Sequence, residues 1–260
     1  RAALAALLVL ALPGCVALPH GGHFALVNGV RLYYEVRGHG PVLLLLHGGG
    51  GDSHQLPKQA AAFAHHYTVI APESRGHGRS TDTDQPLHYH QMAEDLVALL
   101  DRLKVRRVDV VGWSDGGNLG LDLAINHPDR IGKVVTFGAN YRPEGMGDYP
   151  QSCAGEPDTL ILPPGLPRAA ILGRKLHHLW CSEPRWTAGD LGRIRAPVLI
   201  AVGDHDAVRP EHTVALWQAI PGAQMCVIPG ASHGALLEKP ELCNRIILEF
   251  LGKPARVKRK

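Results

Sequence analysis

Apolar residues fall along this chain in two rhythms. Short, nearly unbroken runs occupy residues 41–46, 67–71, 108–112, 134–137, 198–202 and 225–228. Runs of this length predict strands, and in the first three the lack of alternation predicts burial on both faces. Between them, 92–103 carries apolar residues at helical spacing, with Asp95 and Asp101 on the other face. Residues 118–126 read as a second helix, with Pro128 just beyond its end. A last helix is expected over 241–251. Near the start, 24–27 and 30–36 flank Asn28-Gly29, a strong hairpin signal. Buried strands alternating with helices predict an α/β chain with a doubly wound, mostly parallel sheet.

The rhythm breaks between about residues 141 and 191. This stretch holds seven Pro and no clean strand, then a helix-like run through Trp180. It predicts a small cap inserted over the carboxyl edge of the sheet. The core is then 24–140 and 192–252, with a basic tail at 253–260. No internal repeat or low-complexity segment occurs.

Length and composition add bounds. A chain of 260 residues fits one α/β domain. Its 45% hydrophobic and 20% charged content is that of a globular protein. The net charge of +3 is too small to predict a nucleic-acid partner. The basic tail reads as a solvated end.

Residues 1–15 read as a leader rather than as fold. Arg1 precedes an apolar stretch too short to span a bilayer. Its end, Leu12-Pro13-Gly14-Cys15, resembles a bacterial lipobox, although Pro13 is unusual there. Export to the periplasm or cell envelope is expected, with membrane attachment through a lipidated Cys15. A cytoplasmic location is the alternative. Four further Cys remain, and an oxidising compartment would permit two bridges. Cys153–Cys181 would staple the cap, and Cys226–Cys243 would tie a late strand to the last helix. Sequence does not fix that connectivity.

The chemistry centres on Gly112-Trp113-Ser114-Asp115-Gly116, between a buried strand and a helix. That is the setting of a G-x-S-x-G elbow, a turn so tight that its flanks must be Gly. Ser114 is the expected nucleophile. The Asp115 amide, at a helix N-terminus, is an expected oxyanion donor. Trp113 either lines the pocket or packs under the elbow. A serine hydroxyl needs a base, and His is the natural one near neutral pH. Asp204 and Asp206, both just after the 198–202 strand, compete as its acid. His88 and His90 lack a partner cluster, so no metal is expected. No cofactor is expected either.

These motifs resemble the α/β-hydrolase superfamily over nearly all of residues 24–251. His47-Gly48-Gly49-Gly50 resembles its oxyanion loop. Glu73-Ser74-Arg75-Gly76-His77-Gly78-Arg79-Ser80 resembles its D-x-R-G-x-G-x-S turn, with Glu73 in place of Asp. The resemblance implies the α/β-hydrolase fold and a Ser-His-Asp triad. It selects His233 as base, in Gly230-Ala231-Ser232-His233-Gly234, and Asp206 as acid. It implies Gly49 as the second oxyanion donor, with Gly50 as fallback. Residues 112–117 and Gly138-Ala139-Asn140 resemble the valacyclovir-hydrolase-like branch. There the acid matching Asp115 recognises a substrate amino group; the other role open to that side chain is helix capping.

The expected activity is that of a serine carboxylesterase acting on a small-molecule ester through an acyl-enzyme. A C–C bond hydrolase or a perhydrolase-type haloperoxidase would share the triad. A non-catalytic surface lipoprotein is the reading from another class.

Overall fold

The computed structural model describes residues 18–252. The leader with Cys15 and the basic tail lie outside the described residues. Eight strands form one sheet: β1 (Gly21–Val27), β2 (Val30–Gly38), β3 (Val42–Leu46), β4 (Thr68–Pro72), β5 (Val108–Trp113), β6 (Ile131–Phe137), β7 (Val198–His205) and β8 (Gln224–Ser232). Their order is β1-β2-β4-β3-β5-β6-β7-β8. The pairings β1–β2 and β2–β4 are antiparallel, and the rest are parallel. Asn28 and Gly29 both take positive φ, 42° and 80°, as a two-residue hairpin turn requires.

Helices cover both faces. They are α1 (Pro57–Phe63), α2 (Tyr89–Arg102), α3 (Asp115–Asn126), α4 (Tyr149–Ser152), α5 (Arg168–Ser182), α6 (Ala188–Leu191), α7 (Pro210–Ala219), α8 (Ala235–Glu238) and α9 (Pro240–Gly252). The unbroken apolar runs now have a physical account. Leu44 and Leu46 of β3 enter one core with Leu96, Leu100 and Leu121. Leu43 and Leu45 enter the other, with Phe63, Leu236 and Ile247. Successive side chains point to opposite faces, and here both faces are buried. The sheet is thus the doubly wound, mostly parallel one expected. The two edges differ: Phe24 and Leu26 on β1, and Met225 and Val227 on β8, are exposed.

The excursion between β6 and β7 carries α4, α5 and α6. Cys153 and Cys181 form the disulfide expected there. The second pairing is corrected: Cys226 and Cys243 are both free thiols. Cys243 is buried in the core under α9, and its Sγ lies 3.4 Å from the Ala235 carbonyl, not bonded to edge strand β8. Two cations fix α5 to the loop after β4. Fully buried Lys175 reaches Asp82 at 2.9 Å, and Arg168 donates to the Ser80 carbonyl.

Candidate active site

The elbow is held by sterics. Ser114 has φ 54° and ψ −117°, a conformation L residues rarely adopt. A Cβ on Gly112 would sit 2.1 Å from the Gly116 carbonyl oxygen, and one on Gly116 would sit 2.4 Å from that of Leu46. Only Gly fits at either flank, so the turn can lift the Ser114 side chain over the sheet.

Ser114 Oγ lies 3.0 Å from His233 Nε2, and His233 Nδ1 lies 2.7 Å from Asp206 Oδ1. The structure brings these three expected residues into one relay. Asp206 also accepts from the amides of Val208 (3.0 Å) and Gly203 (3.3 Å). Burial would raise the Asp206 carboxyl, but the His233 contact and these amides outweigh it and hold it below its ordinary value. It stays ionised, as a group that orients an imidazolium must. Asp204 faces elsewhere, toward His205 (2.8 Å) and the Ala231 amide (3.1 Å).

The Gly-rich loop is shaped by two side chains that the sequence did not single out for this task. The Gly48 amide donates to Gln55 Oε1 at 2.7 Å. His47 Nε2 accepts the Ser74 amide at 3.0 Å, which leaves Nδ1 to donate to the Gly48 carbonyl at 2.7 Å. Burial, followed by the neighbouring His77, pushes His47 down to about 4, so it is neutral as this pattern requires. The Gly48 carbonyl is thereby turned into the protein. No hydrogen bond within the described residues takes up the amide of Gly49 or of Asp115. Both expected oxyanion donors are free to bind developing charge.

Asp115 does more than lend an amide, and it does not cap its helix. Its carboxylate accepts from the Tyr89 hydroxyl at 2.7 Å and from the Trp180 indole N–H at 3.0 and 3.1 Å. Burial raises this carboxyl above its ordinary value, against the lowering by those two donors. Trp113 lines the cavity, one of its two expected roles, and its indole N–H donates to the His233 carbonyl at 2.7 Å, a contact not expected from sequence. Neither Tyr89 nor Trp180 carried a site signal in sequence, because they lie 26 and 65 positions from Asp115.

Ser114 and His233 open into a cavity of about 470 Å³. Asp115, Asp148 and Glu183 line it, and among the described residues no Lys or Arg does. The Cys153–Cys181 bridge and Trp180 belong to the side contributed by the excursion, with Met146, Tyr149 and His177 among others.

Comparison with known proteins places this geometry. A family model described as alpha/beta hydrolase fold matches residues 41–161. A Caulobacter sp. (strain K31) protein named "Putative carbamate hydrolase RutD" is 30% identical, over 86% of this chain and 97% of its own length. The Homo sapiens serine hydrolase BPHL is 28% identical, over 86% of this chain and 84% of its own. Among solved structures, the enol-lactonase from Burkholderia xenovorans LB400 aligns with a TM-score of 0.72 and 26% identity, over 89% of this chain and 100% of that one.

Proposed function

The chain belongs to the alpha/beta hydrolase fold family, and on that premise we propose that it hydrolyses carboxylic esters, with Ser114 as nucleophile, His233 as general base and Asp206 as the acid that orients it. The observation that carries this reading is the unbroken relay from Asp206 through His233 to Ser114, at 2.7 and 3.0 Å, ending at a cavity.

His233 Nε2 takes the Ser114 proton as Oγ attacks the ester carbonyl. The carbonyl oxygen becomes an oxyanion held by the amides of Gly49 and Asp115. His233 then gives its proton to the departing alkoxide, and the alcohol leaves. Water, deprotonated by His233, attacks the acyl-enzyme and releases the acid and Ser114. Residues 141–191 act as a cap that shapes the acyl and alcohol sites. The scheme uses no cofactor.

Fluorophosphonate labelling and a panel of p-nitrophenyl esters test this. Wild type should label and turn over. Ser114→Ala should lose the label and about 10⁴-fold or more in kcat. Labelling that survives Ser114→Ala would sink the assignment.

Within this reading, one observation bears on the substrate. Among the described residues, three carboxylates and no Lys or Arg line the cavity. This supports a neutral or cationic substrate over one carrying a carboxylate, since a like charge in a walled cleft is repelled. An aminoacyl ester, its ammonium beside Asp115, fits that charge. Asp115→Asn should then slow aminoacyl esters more than simple ones; equal effects on both would end this finer reading. The Cys153–Cys181 bridge supports residence in an oxidising compartment, and intact mass of the mature protein tests lipidation at Cys15.

A further inference from the structure

Trp180 is placed with more restraint than its exposure explains. It is 42% exposed, so it is not held by burial. Its indole N–H is instead shared by both oxygens of Asp115, whose Oδ1 also accepts from Tyr89. The helix that carries it is pinned by buried Lys175 and by Arg168. The next residue, Cys181, is bonded to Cys153, and Glu183 accepts from the Tyr89 amide at 3.0 Å. An aromatic ring fixed from so many sides, with a face left open to a cavity, is built to be touched by what enters.

What it would touch follows from Gly49. A Cβ there would lie 2.6 Å from Trp180 Cζ2 and 2.5 Å from Asp115 Oδ2. The indole therefore runs from Asp115 to the backbone of Gly49, the two residues whose amides are free to bind an oxyanion. An acyl group whose carbonyl oxygen sits on those amides must lie against this ring or pass beside it.

Resting on the reading of Ser114 as an esterase nucleophile, we propose that Trp180 determines acyl specificity: its indole, latched to the Asp115 carboxylate, forms with the Cys153–Cys181 bridge the wall that limits how large an acyl group can sit beside Gly49. Trp180 exchanges no proton and is not a catalytic residue. The ligand it selects is the acyl half of an ester, short or flat enough to lie under the indole.

The test is kcat/KM for p-nitrophenyl acetate, butyrate and octanoate in wild type, Trp180→Ala and Trp180→Phe, with fluorophosphonate labelling and thermal melts alongside. Trp180→Ala should raise the octanoate-to-acetate ratio about tenfold or more, the scale on which a pocket wall discriminates chain length. Trp180→Phe keeps a ring but loses the latch, and should raise the ratio by a smaller factor. If Trp180→Ala does not fold, Trp180→Phe and Trp180→Leu decide the matter. Ratios within about twofold of wild type, or a uniform loss across the series, would overturn the proposal while leaving the esterase reading intact. A wild-type protein that neither labels nor turns over any ester would overturn that reading, and this inference with it.

Discussion

Trp113 donates its indole N–H to the main-chain carbonyl of His233 at 2.7 Å, across 120 positions of sequence. The residue before Ser114 thus holds the backbone of the residue whose ring lies against the Ser114 hydroxyl. The Ser114–His233 distance is fixed on two sides, by Asp206 on the ring and by Trp113 on the main chain. Trp113→Phe keeps the ring and removes the donor. The expected result is a fall in kcat of about three- to tenfold, the scale of one neutral hydrogen bond, with the order of preference among ester chain lengths unchanged. Steady-state kinetics on two esters would check it. An altered chain-length preference would mean that Trp113 acts as pocket wall rather than as a positioning residue.

Gln55 should behave as a positioning residue for the oxyanion loop. Its Oε1 is the acceptor that fixes the Gly48 amide. Gln55→Ala frees that amide and lets the Gly49 N–H drift from its aim. Removing an oxyanion donor outright costs about 10²–10³ in kcat; misaiming one should cost less, about tenfold. Gln55→Glu restores an acceptor and should recover most of the loss. If Gln55→Glu is as poor as Gln55→Ala, the acceptor is not what matters.

The Arg75–Asp95 pair predicts a stability effect away from the site. Arg75 donates to Asp95 through Nε at 2.6 Å and through Nη2 at 2.7 Å, and both side chains are buried. Asn28 adds a third hydrogen bond to Asp95 at 3.0 Å, tying the β1–β2 turn to α2. Asp95→Ala leaves a buried guanidinium unpaired and should cost about 3–5 kcal/mol. Urea denaturation at pH 7 measures it. A loss under about 1 kcal/mol would mean that the site relaxes to let water reach Arg75.

These three sites differ in how far the sequence announced them. The elbow was legible because strand, Gly112, Ser114, Gly116 and helix fall within a few positions and local sterics demand both glycines. The parallel strands were legible because burial on both faces leaves no room for alternation. β8 was harder: at the sheet edge, Met225 and Val227 face solvent, so its apolar run does not mark a buried core. Asp206 and Asp204 stand two positions apart with the same chemistry, and residue type alone could not separate them. The resemblance selected Asp206, and the path of the backbone at the end of β7 turns it toward His233 and Asp204 toward Ala231. Tyr89 and Trp180 left no local trace because their partner Asp115 is distant in sequence, and Gln55, seven positions from Gly48, lies in no motif that marks it. The Cys226–Cys243 pairing failed for a related reason: counting thiols says nothing about which way α9 turns Cys243.

His212 makes the last prediction, one about acid. Its Nε2 accepts the Tyr141 amide at 3.1 Å, and its ring stacks on Tyr141 at 4.0 Å. It thereby holds the first residue after Asn140, where the chain leaves the sheet for the excursion. Burial, then the Arg209 cation, pushes it down to about 4 from an ordinary value of 6.5; Glu144 and Glu211 oppose this, and Arg142 adds to it. A protonated ring could not accept from Tyr141. Between pH 6.5 and 4 the unfolded chain binds the proton that the folded one refuses, so unfolding becomes easier as pH falls. The contribution is whole above about 6.5 and fades progressively toward 4. The full shift would correspond to about 3 kcal/mol; relaxation around the charged ring reduces this to about 1–2 kcal/mol. Asp115 and Asp109, whose carboxyls are raised by burial, work in the opposite sense. The informative quantity is therefore a difference. His212→Gln keeps an acceptor for Tyr141 and does not titrate. Its denaturation free energy should lose about 1–2 kcal/mol less than wild type between pH 7 and pH 4.5. Parallel pH profiles for the two proteins would show that His212 takes up its proton equally in the folded and the unfolded chain, and that Tyr141 is held by something else.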